Sequence, residues 1–222
     1  MSRRLAVLRP EPGNAATAAR AEAAGFAALR LPLFEIVALG WVPPDPRDHD
    51  ALVLTSANAV RHAGPALARF AALPVIAVGE QTAAAARAAG LAVAVTGTSD
   101  ARALAATLAA RGVARALHLG GRERTGVTGI AREIAVYASE PRGVSVPDAA
   151  SLAGCTALLH SARAAARLGE VLDSAGVARA AVALGAFSTA IAAAAGPGWH
   201  AVATAAAPSD AALFTAINAL GR

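Results

Sequence analysis

Ala51-Leu52-Val53-Leu54-Thr55-Ser56-Ala57-Asn58-Ala59-Val60 sets the pattern of the chain. A short apolar run ends in hydroxyl side chains, and an Ala-rich stretch of helical period follows. That is the order of strand, turn and helix in a βαβ unit. The pattern returns at Thr156-Ala157-Leu158-Leu159-His160-Ser161-Ala162-Arg163-Ala164-Ala165, where Ser161 falls on Ser56. Val75-Ile76-Ala77-Val78-Gly79-Glu80-Gln81-Thr82-Ala83 resembles Ala181-Val182-Ala183-Leu184-Gly185-Ala186-Phe187-Ser188-Thr189 in the same way. A looser third match sets Ser99-Asp100-Ala101-Arg102-Ala103-Leu104 against Ser209-Asp210-Ala211-Ala212-Leu213. Alanine inflates any one match, but three in the same order indicate a duplicated α/β unit.

Outward from these stretches the same rhythm continues. Strands are expected at 5–8, 28–31, 52–54, 75–78, 92–95, 116–119, 134–137, 157–160, 181–184 and 201–204, with helices in most gaps. Gly25, Gly90, Gly112, Gly176 and Gly196 stand where helices should stop. This alternation predicts parallel sheets. Two stretches break it: Phe34 to Asp50, with Pro43, Pro44 and Pro46, and Tyr137 to Ala150, with Pro141, Gly143 and Pro147. Read as connections, they make the first lobe discontinuous: residues 1–35 plus 147–222. The second lobe is 50–132, and the linkers are 36–49 and 133–146.

The chain has 222 residues, 56% hydrophobic and 16% charged, which supports a sizeable core and argues against wholesale disorder. Every basic residue is Arg, and the net charge is +5. Codon drift explains this composition; so does an acidic ligand, since Arg pairs in a fork with carboxylate and phosphate. The Arg residues are scattered and aromatics make up only 4%, so the stacking platforms of nucleic-acid binding are poorly supplied and no such partner is expected. Cys155 is the only cysteine, so no internal disulfide forms, and its apolar flanks read as core. No signal peptide is visible, because Arg9-Pro10 ends the first apolar run, and a cytoplasmic protein is expected. Ala180 to Trp199 carries no charge but reads as strand, turn and helix, not as a membrane span.

Ligands of open parallel sheets bind beyond the carboxyl ends of the strands. Candidate residues there are Arg9, then Thr55, Ser56 and Asn58, then Gly79 and Thr82, then Ser161, then Gly185, Ser188 and Thr189. Helix capping accounts for any one hydroxyl. Taken as a set aimed into one gap between lobes, helix starts with exposed N–H groups would hold a molecule with several acid groups. Gly120-Gly121-Arg122-Glu123-Arg124-Thr125-Gly126 also follows a strand and could hold an anion. No dinucleotide fingerprint or P-loop occurs, and the five His show no metal spacing. His118 and His160, at strand ends, read as packed or hydrogen-bonded. Tyr137, the only tyrosine, either packs or faces the gap.

These motifs together resemble the uroporphyrinogen-III synthase family. Leu8-Arg9-Pro10 is similar to its opening Thr-Arg-Pro, and Leu54 to Val60 to its Phe-Thr-Ser-x-Asn-x-Val. Val78 to Ala83 is similar to Val-Gly-x-x-Thr-Ala, Leu119 to Glu123 to its Gly-Arg-Asp/Glu element, and Val136-Tyr137 to the Val-Tyr of its return linker. Leu8 and His160 depart from the family pattern, and Ser188 and Thr189 compete for one position. The resemblance implies two flavodoxin-like parallel-sheet lobes joined by a two-stranded linker, in a monomer. It implies a cofactor-free, metal-free lyase of tetrapyrrole biosynthesis that cyclises hydroxymethylbilane with inversion of ring D and loss of water. Substrate carboxylates would be held by Thr55, Ser56, Thr82, Ser161 and Ser188 or Thr189, with Arg9 and Arg122, and Tyr137 would donate the proton. The rivals are a non-enzymatic two-lobed binding protein for a polyanion and a Rossmann-type oxidoreductase, which lacks its glycine fingerprint here.

Overall fold

The computed structural model describes residues 3–97, 101–123, 126 and 128–220. The chain divides into two compact units, one of Met1–Glu35 with Pro141–Arg222 and one of Ile36–Glu140.

The first unit opens with β1 (Arg4–Val7), α1 (Gly13–Ala23) and β2 (Ala27–Arg30). After β3 (Phe34–Ala38) the second unit holds β4 (Ala51–Leu54), α2 (Ala57–His62), β5 (Val75–Val78), α3 (Glu80–Ala88), β6 (Val93–Gly97), α4 (Ala101–Ala110), β7 (Ala116–Gly121) and β8 (Ile130–Pro141). The chain then completes the first unit with α5 (Val146–Ala150), β9 (Thr156–Leu159), α6 (Ala162–Ser174), β10 (Ala183–Ala186), α7 (Thr189–Ala194), β11 (Val202–Thr204) and α8 (Asp210–Ala219).

The first unit's sheet has the order β11-β10-β9-β1-β2, and all its neighbours are parallel. The second unit's sheet has the order β3-β8-β7-β4-β5-β6. Counted from the chain start, the first sheet has the flavodoxin order 2-1-3-4-5; the second, without β3, has the other doubly wound order, 3-2-1-4-5. The repeat reconciles them. Matching β9, β10 and β11 to β4, β5 and β6 lays β1 and β2 on β7 and β8, so the first unit is a circular permutation of the second. The reversal of strand order then falls between β9 and β1 in one sheet and between β4 and β7 in the other. Loops diverge from a sheet's carboxyl edge at such a point.

Both sheets are covered on two faces. Alternate residues of β4 divide between them: Leu52 and Leu54 join Phe70, Leu117 and Leu119 on one side, while Ala51 and Val53 join Leu104 and Leu108 on the other. In the first unit Ala6 and Leu8 face Leu159 and Leu168, and Leu5 and Val7 face Leu213 and Phe214. Each fully buried Leu or Phe contributes about 1.5–3 kcal/mol, so these side chains carry the core that alanine cannot. Cys155 is buried, and burial pushes its thiol pKa up.

The two breaks in the rhythm contain more structure than proline suggests. The residues of Phe34 to Asp50 read as a connection and the resemblance implies a two-stranded linker; the stretch begins with β3. Leu39 N–H donates to Val136 O and Arg142 N–H to Leu33 O, so β3 runs antiparallel to β8. β8 extends over 12 residues, because β7 pairs one of its edges and β3 the other. The uncharged Ala180 to Trp199 stretch contains β10 and α7. Among the described residues no helix is long and apolar enough to cross a membrane.

Candidate active site

In the second unit, β4 ends at Leu54 and delivers Thr55 and Ser56 to the switch point. Ser56 is the N-cap of α2, and its hydroxyl accepts from Asn58 N–H at 3.2 Å. That contact uses a lone pair and leaves the hydroxyl proton for an incoming anion. The Asn58 side-chain oxygen accepts from Arg61. Thr55 Oγ lies 2.9 Å from His118 Nε2, and His118 Nδ1 lies 3.4 Å from Glu133 Oε1. A carboxylate, an imidazole and a hydroxyl therefore stand in line across β8, β7 and β4. Nothing in the residue spacing advertises this line, because it exists only once the three strands are neighbours.

Gly79 caps α3 with φ +80°, a backbone that side chains rarely adopt, and Thr82 is buried in the helix's first turn. This turn offers backbone N–H groups to a ligand more readily than the Thr82 side chain. Arg122 follows β7 and is tied to Glu123 at 3.0 Å and to Glu140 at 2.7 Å. Those carboxylates raise its pKa, Glu140 foremost. The guanidinium expected to meet substrate is thus already matched by acid groups. Arg124 and Thr125 of the same loop, and Ser99 and Asp100 of the third repeat match, lie outside the described residues. Tyr137 sits on β8, half-buried, with its ring centroid 6.2 Å from that of His62 on α2. Burial lowers the His62 pKa, and Arg61 adds to this.

In the first unit, β9 delivers His160 and Ser161. Ser161 caps α6 and accepts from Ala164 N–H at 3.2 Å, as Ser56 does in the other sheet. Ser188 caps α7 and accepts from Ile191 N–H, while Thr189 is the first, exposed residue of that helix. Ser188 therefore holds the capping position that Ser56 and Ser161 hold. The sequence match of Gly79 with Gly185 is not a structural one: Gly185 lies within β10, where α8 packs so closely that a Cβ would come 2.7 Å from Ile217 Cδ1. Replacing Ser161 by Ala should cost about 1 kcal/mol of stability in urea unfolding and should also raise the Michaelis constant.

Arg9 follows β1 on the other side of the switch point. Its nearest side-chain partner is Thr17 Oγ at 3.4 Å, and among the described residues it makes no ion pair with a carboxylate. Burial lowers its pKa, Asp210 partly restores it, and Arg20 lowers it further. Asp210, at the start of α8, anchors a network that reading along the chain does not find. It accepts from Thr17 Oγ at 2.9 Å, Arg20 Nε at 2.8 Å and His160 Nε2 at 3.0 Å. Its side chain is 5% exposed. Burial alone would raise its pKa, but the bonds from His160, Arg20 and Thr17 outweigh that and hold it far below the usual carboxylate range. An ionised carboxylate only accepts, so Nε2 of His160 carries the proton. Asn14, also on α1, donates to Val7 O and Arg9 O and accepts from Arg30. The available signal was Asn14, Thr17 and Arg20 at three-residue intervals, a polar stripe on a helix that otherwise packs alanine.

Among the described residues no group of three His, Cys, Asp or Glu is placed to hold a metal ion.

A family model described as HEM4, uroporphyrinogen-III synthase HemD, matches residues 15–215. Among solved structures, the fold is similar to a mutant uroporphyrinogen III synthase from the extreme thermophile Thermus thermophilus, at 18% identity and a TM-score of 0.53, covering 100% of this chain and 99% of that one. The wild-type protein of the same organism, in another crystal form, matches at 19% identity and a TM-score of 0.42, covering 99% and 96%. No curated protein matches by sequence. The family model spans nearly the whole chain, from within α1 to within α8, and the chain belongs to the uroporphyrinogen-III synthase family.

Proposed function

We propose that the chain performs this family's reaction, the cyclisation of hydroxymethylbilane to uroporphyrinogen III with inversion of ring D and loss of water, by gripping the substrate's carboxylates at the switch point of each sheet. One observation carries the reading. In both sheets a Ser-capped helix start follows one strand at the switch point and an Arg follows the strand paired with it: Ser161 with Arg9, and Ser56 with Arg122, the latter already held by Glu123 and Glu140. Helix N-termini attract carboxylates. Arg9 strengthens that attraction most, because it is partly desolvated and pairs with no carboxylate among the described residues.

The chemical problem is one of shape. Hydroxymethylbilane closes unaided to the uninverted isomer, so the enzyme must bend it until the substituted carbon of ring D attacks first, through a spiro intermediate. Holding reactants in one geometry contributes roughly 7–11 kcal/mol. Thr55, Ser56, Ser161 and Ser188 and the backbone N–H groups after Gly79 would hold acid side chains. Asn58, Thr82, Arg122 and Thr189 line the same carboxyl edges. Departure of the hydroxyl as water needs a proton, and Tyr137 is the donor we assign.

The test is to supply hydroxymethylbilane and identify the product isomer. Uroporphyrinogen III is expected, and uroporphyrinogen I alone would refute the reading. Arg9→Ala should raise the Michaelis constant about tenfold or more, the worth of one hydrogen bond to a charged group, and the wild-type constant should rise with salt. A salt-independent constant would count against the carboxylate grip. We also propose a cytoplasmic monomer, consistent with one buried cysteine and no disulfide; gel filtration checks the monomer.

A further inference from the structure

We propose that Gly121, together with a bulge in β8, forms the seat that aims the Tyr137 hydroxyl, making Gly121 a positioning residue for the reaction. The inference rests on the reading of Tyr137 as proton donor.

The strand pairing shows the bulge. Along β7 and β8, Gly120 pairs with Ala135, but the next residue, Gly121, pairs with Tyr137. Val136 is therefore the extra residue. In a regular strand Val136 and Tyr137 would face opposite sides of the sheet. Here Ile134, Val136 and Tyr137 all pack against the core cluster of Leu117 and Leu119. The bulge turns Tyr137 onto the face that carries α2, where it meets His62. Bulges re-aim side chains in this way and recur beside active sites. Arg122 N–H closes the distortion by donating to Tyr137 O at 2.8 Å.

Once turned, the ring needs room, and Gly121 supplies it. A Cβ at Gly121 would lie 2.9 Å from Tyr137 Cζ, 3.0 Å from Cε2 and 3.0 Å from Oη. Those contacts are at the hydroxyl end of the ring. Any side chain at 121 would displace the oxygen that is to deliver the proton, while the rest of the ring remained against the core. Gly121 is thus fixed by the approach of another side chain, and not by its own backbone angles.

Tyr137 is the only tyrosine in the chain. Protein grown with 3-fluorotyrosine therefore gives one fluorine resonance, which reports on this ring alone. G121A should shift that resonance and lower kcat about tenfold, the scale of a modest misplacement of a reacting group, with the Michaelis constant little changed. In a Y137A background G121A should have almost no further effect on kcat. If G121A alone does not fold, G121A/Y137A should fold, since the clash is gone. An unshifted resonance, the same loss of kcat in the Y137A background, or a double variant that stays unfolded would overturn the proposal. A Y137F variant with wild-type turnover would instead remove the proton-donor reading, and the resonance shift in G121A would survive it.

Discussion

Replacing Asp210 by Ala should destabilise the protein by about 3–5 kcal/mol, the cost of removing one partner from a buried charged network. The carboxylate ties three elements at the carboxyl edge of the first sheet: α1 through Thr17 and Arg20, the end of β9 through His160, and its own helix α8. Without it, Thr17 and His160 Nε2 lose buried acceptors, and the desolvated Arg9 loses its nearby compensating charge. The pH dependence has a definite sign. The native carboxyl titrates well below the unfolded value of about 3.9, so its stabilisation is complete above about pH 5 and drains away as acid approaches the depressed native value. Urea unfolding at pH 7 should therefore separate wild type from D210N by more than the same measurement near pH 3. A gap between them that stays constant from pH 7 to 3 would show that the carboxylate charge is not what stabilises this edge.

The network also marks the limit of what the sequence discloses. The duplicated units were legible because β-branched runs, hydroxyl caps and helix-ending glycines are local signals. Gly25, Gly90, Gly112, Gly176 and Gly196 all adopt positive φ. Ser56, Ser161 and Ser188 cap the helices that follow them, each for reasons contained within four residues. Asp210 and Thr17, by contrast, stand at opposite ends of the chain and meet only because β1 is inserted beside β9. The line from Glu133 through His118 to Thr55 likewise depends on strand order. Strand β3 is implied by the family resemblance but by no local pattern: Phe34 to Ala38 is too short to show a period and is followed by prolines, and it forms because β8 offers it an edge. Arg122 looked available because Glu140, its strongest partner, is 18 positions away in the sequence. Residue type and position located the carboxyl edges; which charges are already spoken for there is a property of the fold.

Tyr137→Phe should lower kcat about a hundredfold, the lower end of what a positioned general acid contributes, while leaving the Michaelis constant close to that of wild type. The two parts of this expectation have separate physical origins. The ring's apolar body packs against the core of the second sheet and against His62, and Phe keeps both contacts. Substrate affinity is assigned to the helix starts and Arg9, none of which depends on the phenolic oxygen. What Phe removes is the O–H, and with it the proton that we propose Tyr137 gives to the departing hydroxyl. The product should record the loss as well. When the enzyme-bound route slows, unaided closure of hydroxymethylbilane competes better, so the share of uroporphyrinogen I should rise as enzyme concentration is reduced. Arg9→Ala should produce the complementary pattern, with the Michaelis constant raised and kcat near normal at saturation. The pair of variants separates holding from proton transfer. If Tyr137→Phe turns over at the wild-type rate and yields only the type III isomer, the proton comes from another group, and Tyr137 is a packing residue at the edge of the site.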